Sequence, residues 1–343
     1  MRTWLATLAL IACNPDEVER ERPDAPRSSL GLRQVEKLPA DAEALATGPD
    51  GTPWVVADGS IWCRDGSDTW VDSGRGDLPV GAVPFLGAVD DALLAYVWGK
   101  GLHRAEVACG AEPSWSLAED GLQAPILDIV SPVARPIPWQ LEGEWLAAAG
   151  GVFRTDDAGR TWQLAMSGAG TDLALLFTDL ATSPDGELWA TSVLPSSLLP
   201  PEFEGLLKGT LFRSTDGGET WVDATEGFPS KYPLGLAFRD DGVLFVGTQD
   251  QGVLRRTESG WSTLGGPTDV VALEWHAGGL HLASASRGVW RWEDGAWSGV
   301  GNGPAIDVEG GVGLLADGLV AGLAADEGQR PAGAGDATVH VVL

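Results

Sequence analysis

The chain has 343 residues, and 22 Lys and Arg against 49 Asp and Glu leave a formal net charge of −27 at pH 7. Nucleic acid and anionic lipid surfaces call for a basic stripe, so this balance excludes both as general partners and leaves room only for a local basic pocket. Hydrophobic residues at 44% supply a full core, while 47 glycines, 22 prolines and 16 tryptophans point to many short strands and tight turns.

The N-terminus reads as an address. Met1-Arg2-Thr3 precedes an apolar run from Trp4 to Ala12, too short to span a bilayer, which is the pattern of a secretory signal. Leu10-Ile11-Ala12-Cys13 resembles the lipobox of bacterial lipoproteins, and the resemblance implies cleavage before Cys13 and lipid on its thiol. The alternative is an ordinary signal peptide with an incidental cysteine. Residues 1–12 are thus expected to be a lipoprotein signal peptide, 13–31 a lipidated cysteine with a charged, proline-bearing tether, and 32–343 one folded domain. The expected location is a bacterial cell envelope, with a lipid anchor as the only membrane contact.

Leu32 to Leu38 is the first candidate strand. A series of hairpin turns follows: Asp50-Gly51, Asp90-Asp91, Glu142-Gly143, Asp185-Gly186, Asp241-Gly242, Gly278-Gly279 and Asp317-Gly318. In step with them runs a second motif, Ser/Thr-x-Asp-x-Gly-x-Thr-Trp, complete at Thr155 to Trp162 and at Ser214 to Trp221. Worn copies end at Trp70, which keeps Asp65 and Thr69, and at Trp115, Trp261 and Trp297. Within one repeat, Leu236 to Phe238, Leu244 to Gly247, Gly252 to Arg255 and Trp261 to Leu264 make four antiparallel strands, here termed a to d. Four strands per 40 to 50 residues is the period of a propeller blade. Seven turns predict an all-β, seven-bladed β-propeller of four-stranded antiparallel blades. Thr338 to Leu343 is expected as the third strand of the last blade and the N-terminal strand as its fourth, closing the ring.

The repeated motif resembles the Asp box of the BNR-repeat propellers, a group that includes sialidases, sortilin-type ectodomains and photosystem assembly factors of the Ycf48 type. The resemblance implies that Asp65, Thr69, Trp70, Asp156, Gly159, Thr161, Trp162, Asp216, Gly218, Thr220 and Trp221 are structural, folding the c-to-d turn and packing between blades. Calcium ligation or acid catalysis by these aspartates is the alternative.

Propellers bind at the face built from the d-to-a and b-to-c connections. The long connection from Ser192 to Lys208 carries Leu198, Leu199, Glu202, Phe203 and Glu204, either as a contact element or as a cap folded over the channel mouth. Asp223 to Pro233, with Phe228, Lys231 and Tyr232, is the next candidate. A sialidase needs a tyrosine nucleophile paired with a glutamate, and the only couple available is Tyr232 with Glu226. Other carboxylates that could work in pairs include Asp77, Asp120, Asp172, Glu202 and Asp250. Arg75-Gly76-Asp77 matches an integrin-binding tripeptide but reads more simply as a turn. Cys63 and Cys109 can form a disulfide in an oxidising compartment, with two separate thiols as the alternative.

No metal or cofactor is expected, because the four histidines are scattered and neither cysteine has ligand spacing. These readings predict a monomeric, noncatalytic binding or assembly scaffold whose partner is an envelope protein or glycan. A divergent glycoside hydrolase or glycan-binding propeller with carboxylates at the channel mouth is the alternative.

Overall fold

Short apolar runs between closely spaced turns pair locally, and they do so here throughout the chain. The computed structural model describes residues 32–35, 42–48, 50–65, 69–123, 136–167, 176–193, 209–301, 304–309, 312–315, 320–323 and 339–342. Strand β1 (Leu32–Val35) precedes blade one, which is β2 to β5 (Ala42–Thr47, Pro53–Ala57, Ser60–Arg64, Trp70–Gly74). Blade two is β6 to β9 (Phe85–Val89, Ala92–Val97, Gly101–Glu106, Ser116–Leu117), and blade three is β10 to β13 (Pro138–Glu142, Trp145–Ala148, Gly151–Arg154, Gln163–Ser167). Blade four is β14 to β17 (Leu176–Thr182, Leu188–Val193, Thr210–Ser214, Val222–Asp223). Blade five is β18 to β21 (Pro233–Phe238, Leu244–Thr248, Gly252–Thr257, Gly260–Gly265), and blade six is β22 to β25 (Val270–His276, Gly279–Ser284, Gly288–Glu293, Ala296–Gly301). Each pairs its strands antiparallel in sequence order, so the fold is an all-β propeller of four-stranded blades.

Burial grades across each blade. The second strands, such as β7 and β23, are buried along their whole length because neighbouring blades cover both faces. The outermost strands β9 and β17 are two residues long and exposed, which keeps the open sheet edges short. The core is accordingly a series of clusters between blades: Trp162 of blade three packs with Leu94 and Leu102 of blade two, and Trp189 of blade four with Leu236 and Leu244 of blade five.

The expectation of seven four-stranded antiparallel blades is corrected to six among the described residues. The remaining sheet comprises β26 to β29 (Ala305–Glu309, Val312–Leu315, Val320–Leu323, Val339–Val342) and β1, in the order β1-β29-β28-β27-β26. The C-terminal segment thus supplies four strands itself. Val339–Val342 is the fourth of these rather than the third, and β1 adds as a fifth strand, parallel to β29, with Leu32 opposite Val339. The discrepancy has a local origin. Asp317-Gly318 lies between the second and third strands of this sheet, and the dipeptide between its first two strands is Gly310-Gly311, an equally good turn former.

Candidate functional site

The first strands of blades one, three, four and six and of the last sheet bring carboxylates toward the propeller axis. Glu43 on β2, Glu142 on β10, Asp179 on β14, Glu274 on β22, and Asp307 and Glu309 on β26 are the acids of these otherwise apolar inner strands. An inner strand has one edge with no strand beside it, so its N–H groups need other acceptors. The acids provide them. Glu43 accepts Val83 N at 2.7 Å, Glu142 accepts Thr182 N at 3.3 Å, and Glu309 accepts Thr47 N at 2.9 Å. Asp179 accepts Leu236 N at 2.6 Å as well as its neighbour Leu180 N at 2.8 Å. The Thr182, Thr47 and Leu236 bonds run between sheets, the Val83 bond reaches the connection that enters blade two, and the Leu180 bond stays within its strand.

Charge at this depth is costly. Burial raises Asp179 well above the ordinary carboxylate value, against the pull of the Leu236 and Leu180 N–H groups. Burial, reinforced by Asp307, does the same to Glu309, and burial also raises Glu142. Asp307 is pushed up to about 7 by burial, a rise opposed by its bond from Val308 N and reinforced by Glu274. The axial cavity beside these groups measures about 50 Å³ and is lined by Glu43, Leu86, Trp139, Gln140, Asp307 and Glu309. Among the described residues no group of three or more His, Cys, Asp or Glu could hold a metal ion. The sequence signal for this acidic axis is one or two acids within each of several apolar first strands.

The Asp-box residues lie away from the axis, in turns between the third and fourth strands. Asp157 Oδ1 accepts Arg160 N at 3.0 Å and Thr161 N at 2.8 Å, and Asp157 Oδ2 accepts the Thr161 hydroxyl at 2.7 Å. The turn-folding carboxylate is therefore Asp157, and the assignment to Asp156, which is exposed, is corrected. The motif puts its aspartate two residues after Thr155, which selects the second of the two adjacent acids. Thr155 Oγ1 accepts Gly159 N at 2.9 Å, and Trp162 is buried and donates to Ala118 O of blade two at 3.1 Å. The second copy repeats the arrangement. Ser214 Oγ accepts Gly218 N and Asp216 Oδ1 accepts Thr220 N, both at 2.9 Å, and the Thr220 hydroxyl, followed by its N–H, holds Asp216 down at about 2. Gly218 has φ +81°, and a Cβ there would lie 2.1 Å from the Trp145 ring of blade three, against which Trp221 packs edge-on at 6.4 Å. In the worn first copy, Asp65 accepts Thr69 N at 3.0 Å and Trp70 is buried.

The candidate loop residues divide. Cys13, Leu198, Leu199, Glu202, Phe203 and Glu204 lie outside the described residues. Phe228 is half-buried against Trp261 at 4.9 Å, Tyr232 is half-buried, and Lys231 is exposed. Of the other proposed acids, Asp172 lies outside the described residues, Asp77 accepts Trp115 N at 2.6 Å, and Asp250 accepts the Ser230 hydroxyl. Arg75 donates to four backbone carbonyls, from Gly59, Leu78, Pro79 and Gly81, so the Arg-Gly-Asp tripeptide is a packed corner. Cys63 and Cys109 form a disulfide, Cα to Cα 5.6 Å, that ties blade one to blade two. On the face of the d-to-a and b-to-c connections, Val80 and Trp98 are 88% and 48% exposed, on segments joined by Trp98 N to Ala82 O at 3.0 Å.

The architecture defines a β-propeller with an acidic axis, and comparison with solved structures agrees on the fold. The chain is similar to Ycf48 from Cyanidioschyzon merolae, with a TM-score of 0.53 and 14% identity over 84% of this chain and 97% of that one. It is equally similar to a streptogramin B lyase, with a TM-score of 0.53 and 14% identity over 84% and 93% of the two chains. A GH74 enzyme from Niastella koreensis matches with a TM-score of 0.52 and 14% identity, over 82% of this chain and half of that one. These likenesses are at the level of fold. No protein-family model matches the chain, and no curated protein matches it in sequence.

Proposed function

We propose that the protein is a noncatalytic binding or assembly scaffold, held in a bacterial cell envelope by lipid on Cys13. In this reading it is a propeller closed between its first blade and its last sheet. The observation that carries the reading is the size and occupation of the axis. A cavity of about 50 Å³ has room for a water molecule or two, whereas small-molecule sites measure roughly 300–1,000 Å³. Four of the axial acids are already engaged by backbone N–H groups. Closure is supported by the Thr47 to Glu309 bond and by Leu314, which packs with Leu45, Val55 and Trp70. The contact face in this reading is that of Val80 and Trp98, extended by the Ser192 to Lys208 connection, and its partner is an envelope protein or glycan.

Crosslinking of the tagged protein in its native envelope tests the proposal. Wild type should capture one partner that is lost both with Trp98→Ala and when the Ser192 to Lys208 connection is replaced by a short Gly-Ser turn. Equal recovery from all three forms, or none from wild type, overturns it.

A second reading, a divergent glycoside hydrolase, is favoured by Asp307, which lines the axial cavity with Glu43 and Glu309 and whose carboxyl burial raises to about 7. Hydrolysis of any member of a glycan panel by wild type, abolished by Asp307→Asn, would establish it in place of the scaffold.

A further inference from the structure

Blades four and five repeat one another residue by residue at their first hairpin. Asp185-Gly186-Glu187-Leu188-Trp189 aligns with Asp241-Gly242-Val243-Leu244-Phe245, and the same backbone bond closes both turns: Ser183 N to Glu187 O at 2.8 Å, and Arg239 N to Val243 O at 3.0 Å. Across the next strand pair, Trp189 faces Arg213 and Phe245 faces Arg255. In blade four the Glu187 carboxylate receives both Nε and Nη2 of Arg213. Blade three has the same device, Arg154 of the third strand meeting Glu144 from the first turn at 3.0 Å, whereas in blade two Arg104 comes only within 3.8 Å of Asp91 and its Nη2 makes no hydrogen bond.

Blade five breaks the pattern. Where blade four has Glu187 it has Val243, and Arg255 has no hydrogen bond or ion pair among the described residues; its Nε is buried without an acceptor. A buried donor left unmatched is costly, and native proteins rarely leave one without a water, an ion or a ligand. The following residue, Arg256, lies over the Trp189 ring at 4.7 Å and feels the charge of Glu187, which lines the same cleft, but makes no ion pair among the described residues.

Val243, Arg255, Arg256, Trp189, Asp185 and Glu258 all line a cleft of about 520 Å³ between these two blades, within the range of small-molecule sites. We propose that this cleft binds a small zwitterion of the amino-acid or short-peptide class. The ligand carboxylate takes the part that Glu187 plays in blade four, accepting from Arg255 and Arg256. The ligand ammonium meets Asp185 and Glu258, exposed acids of the lining that have no hydrogen bond or ion pair among the described residues. Partial burial and the nearby Arg213 lower Arg256 from its usual value against the pull of Glu187, and an added anion there offsets the Arg213 repulsion.

Isothermal titration with the dipeptide Ala-Ala tests this. Wild type should bind with a Kd of about 1 mM or tighter, and Ala-Ala amide, which lacks the carboxylate, should bind at least about tenfold more weakly, as should N-acetyl-Ala-Ala, which lacks the ammonium. Val243→Glu restores the acid of blade four, so it should abolish binding while holding or raising the melting temperature. Arg256→Gln, at an exposed position, should weaken binding by about tenfold or more and decides the matter should Val243→Glu fail to fold. No binding by wild type at about 20 mM Ala-Ala, equal binding of either capped peptide, or unchanged affinity in Arg256→Gln or a folded Val243→Glu overturns the proposal.

Discussion

Glu309 and Thr47 are 262 residues apart in sequence, yet the Glu309 carboxylate on β26 accepts the Thr47 N–H of β2 at 2.9 Å. The acceptor needs no charge to do this, and burial disfavours the charge. At pH 8, Glu309→Gln should therefore melt at or above the wild-type temperature, since an amide oxygen can still accept. Glu309→Ala should lose about 1–3 kcal/mol, the cost of an orphaned buried donor. Differential scanning calorimetry on the three proteins checks the order, and a Gln variant as unstable as Ala contradicts it.

Asp307 sets a pH dependence of defined sign. Its folded-state value, about 7, lies above the 3.8 expected when unfolded, so the folded state holds the proton more tightly. The associated stability is fully present below the unfolded value and is lost as pH rises through about 7. His281 acts oppositely: burial, then Arg291 and His276, depress it to about 3, so it disfavours folding as pH falls below its ordinary 6.5. Comparison with Asp307→Asn separates the two effects. The melting temperature of the Asn variant relative to wild type should be higher at pH 8 than at pH 5, and a constant difference across that range would count against the assignment.

The Asp-box turns make a paired prediction. Asp157→Ala removes the acceptor for two backbone N–H groups and a hydroxyl and should cost about 1–3 kcal/mol. Asp156→Ala, one residue away and exposed, should change stability by less than about 0.5 kcal/mol. Urea unfolding of both variants distinguishes them. Gly218→Ala should be more damaging than Asp156→Ala, because its φ is +81° and the new methyl meets the Trp145 ring.

The disulfide closes a 46-residue span between blades one and two. Loop-closure entropy puts its contribution at about 4 kcal/mol, so the Cys63→Ala, Cys109→Ala double variant should unfold at lower denaturant than wild type. Peptide mapping without reductant should recover the two cysteines in one linked fragment.

Local residue patterns suffice for the all-β class, the blade rhythm and the placing of the strands within a repeat. In blade five, Leu244, Gly252 and Trp261 fall where apolar runs and turn residues put them, because strand alternation and tight turns are encoded over a few neighbouring residues. The Asp-box motif is legible too, but Asp156 and Asp157 are adjacent acids that only the structure tells apart, by which one meets the turn N–H groups. The last sheet was decided by tertiary structure. Gly310-Gly311 and Asp317-Gly318 are comparable turn formers, and only the pairing of β1 with β29 shows which strand stands at the edge. The axial acids and the unpaired Arg255 were decided in the same way. Glu309 finds its donor 262 residues away, and Arg255 is conspicuous only beside the paired arginines of its sister blades. Local pattern specifies a blade; contacts between blades are long-range, and they determine which charges are satisfied and which are left for a ligand.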